Sequence, residues 1–213
     1  MQQTHFLEHI AMTGRVLGSL FYFSPENENN AEIIAVLQEP IWHDEWPFAL
    51  PSLVKISQLL QSSAQENEPL SEAWQRLFIG PYALPAPPWG SVWLDKEKIV
   101  FGDSTVELRQ WMRIKGVEPV TTQKEPEDHF GLILMLAAWL AEQNRRADLE
   151  ELLAWHLLPW SAHFLEVLID SANSDFYRAL AILAKETLDG YQQQLTLPIS
   201  EKNVYLTRDC ILR

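Results

Sequence analysis

Residues 126–143 read PEDHFGLILMLAAWLAEQ, and this run decides the architecture. After a charged opening it is apolar on nearly all faces of a 3.6-residue period, whereas a surface helix would keep one polar face. It is therefore expected to be a central, buried helix. Pro126 belongs in its first turn, where a missing N–H costs nothing, and Glu127 and Asp128 complement its positive N-terminal end.

Outward from this run the pattern stays helical. Phe6, Ile10, Val16, Leu17, Leu20 and Phe21 recur at helical spacing and predict a first helix that stops before Pro25 and an Asn-rich stretch. Shorter helices are expected over 31–37 and over 51–64, the latter with Pro51 in its first turn, and Trp42 and Trp46 fall in the connection between them. LSEAWQRLFIG (70–80) sets Trp74, Leu77 and Phe78 on one helical face and stops at Gly80 and Pro81. Ser104 and Glu107 have the spacing of a capping box for a helix ending at Gly116, followed by a polar linker over 121–125. Beyond the central run, helices are expected over 149–158, over 161–172 after a break at Pro159, and over 176–195, with 198–213 as a tail. No run alternates with period two. The fold class is thus all-α, a single-domain bundle with antiparallel neighbours joined by short loops.

One connection departs from that economy. GPYALPAPPWGSVWLDKEKIVFGD (80–103) holds four prolines and three glycines among Tyr82, Trp89, Trp93 and Phe101, so it reads as non-helical yet too aromatic for a solvated linker. Prolines lower the entropy lost on ordering, and aromatic rings supply rigid contact area with polar tips. The combination suits recognition better than catalysis.

Charge narrows the partner. With 16 basic and 29 acidic residues the formal net charge is -13, which disfavours nucleic acid and anionic membranes and favours a cationic ligand. The single cysteine, Cys210, allows neither a disulfide framework nor a cysteine metal cluster, and a reducing compartment is expected. The first residues lack the pattern of a signal peptide, and no span approaches the roughly 18 apolar residues of a membrane helix, so a cytoplasmic protein without stable membrane insertion is expected. Nucleotide-binding, α/β-hydrolase and zincin motifs do not occur, and no cofactor is called for.

Two fragments have catalytic readings. Gly102-Asp103-Ser104 resembles a serine-esterase motif without its strand or its downstream histidine, and helix capping by Ser104 explains it better. In EPEDH (125–129), Asp128 and His129 suggest an acid/base pair, but adjacent helical residues point about 100° apart. The alternative function is accordingly a small hydrolase or nucleotide-dependent enzyme using Asp128, His129 and Ser104. A third reading of EPEDH is a set of acceptors for guanidinium groups.

WQRLFIGPYALPAPPWGSVWLD (74–95), FGDSTVELRQWM (101–112), EPEDHFG (125–131) and ELLAWHLLPW (151–160) together resemble the TorD/DmsD family of redox-enzyme maturation chaperones, its DmsD branch above all. The resemblance runs from Arg15 to about residue 195. It implies an all-helical, non-enzymatic, monomeric chaperone that binds the twin-arginine signal peptide of a molybdoenzyme catalytic subunit, dimethyl sulfoxide reductase in this branch, before export, with the Tat translocase as a further partner. The peptide-binding residues it implies are Trp74, Leu77, Phe78, Tyr82, Pro88, Trp89, Gly102, Pro126, Asp128 and His129. Tyr82 stands where the branch has tryptophan, which keeps an aromatic wall and adds a hydroxyl.

Overall fold

Leu, Met and Ala give the apolar run good helix formers at most positions, and the helix they build, α7 (Phe130–Glu142), is the centre of the computed structural model. The structure describes residues 2–118 and 125–206. Phe130, Ile133, Leu134, Ala137, Ala138 and Leu140 have no exposed surface, as the pattern demanded. The linker expected over 121–125 lies outside the described residues except for Glu125, and so does Cys210.

α1 (Gln2–Tyr22) packs antiparallel along α7 through a seam of small residues. A Cβ on Gly131 would lie 2.7 Å from the Gly18 carbonyl oxygen and 2.9 Å from Tyr22 Cβ, and one on Gly14 would meet the Leu134 carbonyl at 2.8 Å. Backbone cannot yield as a side chain does. Gly131→Ala should therefore cost about 1–3 kcal/mol, the scale of overpacking. Urea unfolding at an unchanged m-value measures it, and undiminished stability would mean that α1 shifts freely on α7. At the end of this seam Phe21 stacks edge-on against Phe130 with centroids 4.8 Å apart, and Phe130 meets Phe164 at 4.9 Å.

The Asn-rich stretch does more than stop α1. Buried Asn30 donates to the carbonyls of Ser19, Phe23 and Ser24 at the C-terminal end of α1, while Asn27 accepts from Asn29 N–H and caps α2 (Glu28–Gln38). A 3₁₀ turn, Trp42–Glu45, buries Trp42, and the Trp46 indole donates to Thr187 at 3.1 Å. α3 (Leu53–Ser63) begins two residues after Pro51, not at it: residues 51 and 52 form a turn closed by Leu53 N–H on the Leu50 carbonyl at 3.0 Å, with the Ser52 N–H held by Glu186. α10 (Asp175–Gln192) packs on α3 and on α9 (Leu158–Ser171).

Four further expectations need correction. The aromatic connection contains a short helix, α5 (Gly90–Leu94), every residue of which is buried. α6 (Asp103–Ile114) has no capping box: Gly102 occupies the cap, Ser104 bonds instead to Asp95, and Glu107 pairs with Lys202. Pro159 breaks nothing. α8 (Arg146–Leu152) runs through a π-turn (Leu153–Leu157), closed by Leu158 N–H on the Leu153 carbonyl, into α9, whose first turn holds Pro159 where proline is tolerated. The resulting Arg146–Ser171 helix is long and apolar enough to cross a membrane, contrary to the sequence reading, although 56% of its most apolar window is buried inside the fold.

Among the described residues there is no strand, only one isolated antiparallel bridge between Trp89 and His129. The first part of the expected tail is docked: Ser200 N–H bonds to Ala154 C=O at 2.9 Å, within the π-turn, and Tyr205 N–H to Trp93 C=O at 2.8 Å.

Candidate functional site

α4 (Leu70–Trp74) does not end as an α-helix. Its last turn widens into a π-turn, Gln75–Ile79, closed by Gly80 N–H on the Gln75 carbonyl at 2.9 Å, and Gly80 adopts φ 110°, where a side chain would be strained. The widened turn sorts its side chains. Trp74, Phe78 and Ile79 face one cleft, and Gln75, Arg76 and Gly80 face another.

The opposite wall of the first cleft comes from the EPEDH turn. Gly90 N–H donates to the Asp128 carbonyl (3.1 Å) and Phe130 N–H to the Pro88 carbonyl (2.7 Å), so Trp89 is clamped beside His129. The end of α1 completes the enclosure with Tyr22 and Phe23. Phe23, Tyr22, His129 and Trp89 then form a continuous edge-to-face series with centroid spacings of 4.8, 5.3 and 6.0 Å. The cleft they line measures about 660 Å³ and also takes in Ser24, Glu26, Asn27 and Glu125.

Its electrostatics are one-sided. Glu125 is half-buried and accepts the Trp89 indole N–H at 2.5 Å; burial pushes its carboxyl up, Trp89 opposes this, and the nearby Asp128 charge adds to it. No cation pairs with it among the described residues. Burial also raises the Tyr22 phenol, with Glu125 adding to the shift. The Trp74 ring lines the cleft, while its indole N–H is buried without a partner. This arrangement offers apolar rings and two carboxylates, Glu26 and Glu125. It can bind an apolar segment carrying cationic groups.

The implied residues divide among four places. Trp74, Phe78, Trp89 and His129 line the cleft. Tyr82 is 86% exposed and lines the second cleft, about 800 Å³, on the far side of the π-turn. Leu77 is wholly buried beneath both, and Pro88 acts through its carbonyl on Phe130. Pro126, Asp128 and Gly102 are buried or packed behind the wall. α7 starts at Phe130, later than expected, because His129 Nδ1 accepts Gly131 N–H at 3.1 Å and makes His129 the cap. That contact requires a neutral imidazole, and burial lowers its pKa to about 3.

Asp128 accordingly does not stand at the mouth of α7. It is 3% exposed and turns inward, where Oδ2 accepts Ser91 N–H at 2.7 Å in the first turn of α5. Burial raises its pKa, opposed by Ser91 N–H and by the hydroxyls of Ser91 and Thr105. Neither hydroxyl makes a well-aligned hydrogen bond, but both stand close enough to favour the charged form. The hydrolase reading fails on this geometry: Asp128 serves Ser91, His129 serves Gly131, and Ser104 serves Asp95, so the three residues it invoked do not meet one another.

Sequence reasoning missed Tyr22, Phe23, Glu26, Asn27 and Ile79. The apolar pattern of α1 running on into Tyr22-Phe23 after the glycines at 14 and 18 was the available signal, since small residues at i, i+4 permit the close approach to α7 that brings Tyr22 to His129.

Comparison with known proteins gives consistent results. The family model described as nitrate reductase delta subunit matches residues 43–166. The Tat proofreading chaperone DmsD of Salmonella typhimurium is 51% identical over 204 residues, covering 95% of this chain and 99% of that protein. A probable Tat proofreading chaperone DmsD of Haemophilus influenzae is 43% identical over 207 residues, covering 96% and 100%. A crystal structure of a putative redox enzyme maturation protein from Archaeoglobus fulgidus shares the fold, with a TM-score of 0.52 at 19% identity over 86% of this chain and 93% of that one.

Proposed function

The chain belongs to the TorD/DmsD family of redox-enzyme maturation chaperones, and from that premise we propose that it binds the twin-arginine signal peptide of a molybdoenzyme catalytic subunit in the cytoplasm and holds the precursor until it is ready for export. The client is a reductase of the dimethyl sulfoxide reductase kind, and the chaperone acts as a monomer, by binding and without catalysis. The observation that carries the reading is Glu125: a half-buried carboxylate, with no cation beside it among the described residues, at an aromatic cleft.

A guanidinium suits that position. It presents a planar fork to a carboxylate, stacks on aromatic faces and loses less hydration than an ammonium would. Glu125, held by the Trp89 indole, takes one arginine, and Glu26 is placed for the second. The apolar run that follows lies on Trp74, Phe78 and Ile79. The net charge of -13 draws the leader in.

Calorimetric titration with a leader peptide tests this. Replacing both arginines by glutamine should weaken binding by at least about tenfold, since each charge-assisted bond contributes about 1.5–3 kcal/mol and 1.4 kcal/mol is a factor of ten. Equal affinity for the two peptides would remove arginine recognition from the function.

A further inference from the structure

Two carboxylates are buried at opposite ends of α5. Asp128 accepts Ser91 N–H in its first turn, and Asp95 follows its last residue and accepts Ser104 N–H and the Ser104 hydroxyl, the latter at 2.5 Å. Neither has a cation beside it among the described residues, so the cost of burying each charge is met by neutral donors alone. Gly102 sits against the second of these. A Cβ there would lie 2.0 Å from Asp95 Oδ2 and 3.3 Å from Ser91 Cβ, while its φ of -75° is open to any residue. Glycine is thus required by space, not by backbone conformation.

The consequence reaches the cleft through α5. Trp89 is the residue immediately before this helix, and a Cβ on Gly90 would already press on the Trp160 indole at 3.0 Å. All five residues of the helix are buried, so a push at Asp95 or Ser91 meets packed neighbours. A shift of the helix would be carried to Trp89, covalently next to its first residue, and to the Trp89 bond with Glu125.

We propose that Asp95 is a positioning residue of the leader site, and that Gly102 serves the site by leaving room for the Asp95 carboxylate instead of by touching the leader. The proposal rests on the cleft being the leader site, but one arm of its test needs no leader. In nitrogen-15 NMR spectra, Gly102→Ala and Asp95→Ala should each shift the Trp89 indole N–H signal and leave that of Trp46, bonded to Thr187, in place.

In calorimetry each of these variants should bind a twin-arginine leader peptide about tenfold more weakly, and the double variant no more weakly than Asp95→Ala alone, because without the carboxylate the added methyl loses its severe contact and meets only Ser91 Cβ at 3.3 Å. Asp95→Asn keeps an acceptor for Ser104 and should retain affinity to within about threefold. If Asp95→Ala does not fold, Gly102→Ala and Asp95→Asn with the Trp89 signal decide the matter. Additive losses, or weaker binding by Gly102→Ala with the Trp89 signal unmoved, would overturn the proposal and make Gly102 a leader contact. A wild-type chain that binds no twin-arginine peptide, while the Trp89 signal still moves, sinks the functional reading and leaves the positioning role standing.

Discussion

Glu125→Gln should weaken binding of a twin-arginine peptide by at least about tenfold, while Asp128→Asn should change it by less than about threefold. Glutamine keeps the shape of Glu125 and an acceptor for the Trp89 indole, so what it removes is the charge that a guanidinium would meet. Asp128 presents no such charge to the cleft, since its accessible surface is nearly nil and its oxygen is committed to Ser91 N–H. Asparagine retains that acceptor, and the hydroxyls of Ser91 and Thr105 can rotate to receive its amide.

Protonation provides an independent reading of the same residue. The free Glu125 carboxyl lies above its ordinary value because it is desolvated, and an arriving guanidinium must favour the ionised form. Leader affinity should therefore fall as pH falls through that raised pKa, and the Glu125→Gln chain should lose this dependence. A double-mutant cycle of Glu125→Gln against arginine-to-glutamine peptide completes the measurement. Additive losses there, or a larger effect from Asp128→Asn than from Glu125→Gln, would return the acceptor role to Asp128.

The contrast between these two carboxylates marks where sequence reasoning stops. The pattern of 126–143 sufficed to place α7 at the centre, because a helix with no polar face has only one stable location. Spacing put Trp74 and Phe78 on one helical face, whereas Trp89 and His129 were joined to them only by the family resemblance; all four line one cleft. Neither separated Glu125 from Asp128, since three residues along an irregular turn can point anywhere until their hydrogen-bond partners are known. Those partners, Trp89 and Ser91, lie 36 and 37 residues away in the chain. The capping box at Ser104 failed for the same reason: its local partner Glu107 lost to Asp95, nine residues upstream and buried beside the helix end. α5 escaped notice because its first amides are satisfied by the Asp128 carbonyl and carboxylate, which no local propensity encodes.

Acidification should destabilise the fold steeply below pH 6.5, with His129 as a principal cause. Its folded pKa of about 3 lies below the unfolded value of 6.5, so between these limits the unfolded chain binds a proton that the folded chain refuses. Stability from this source is fully present above 6.5 and is lost as pH falls toward 3, at up to about 1.4 kcal/mol per pH unit. His156, lowered to about 4 by burial and by Lys202 against the opposing Glu107 and Glu151 charges, adds a second proton over the window from 6.5 to 4. Asp128 and Glu125 work the other way, because their raised values let the folded chain take up protons first. His129 also carries a structural term. Its Nδ1 lone pair caps α7 at Gly131 N–H, and protonation would turn that acceptor into a donor facing a donor. His129→Asn keeps an acceptor at the cap without a titrating group, so its unfolding free energy, measured in urea from pH 7 to pH 4, should fall less steeply than that of the wild type by about one proton. An unchanged slope, or an imidazole signal of His129 that titrates near pH 6 in the folded chain, would show that the ring is accessible to water and that the cap tolerates its charge.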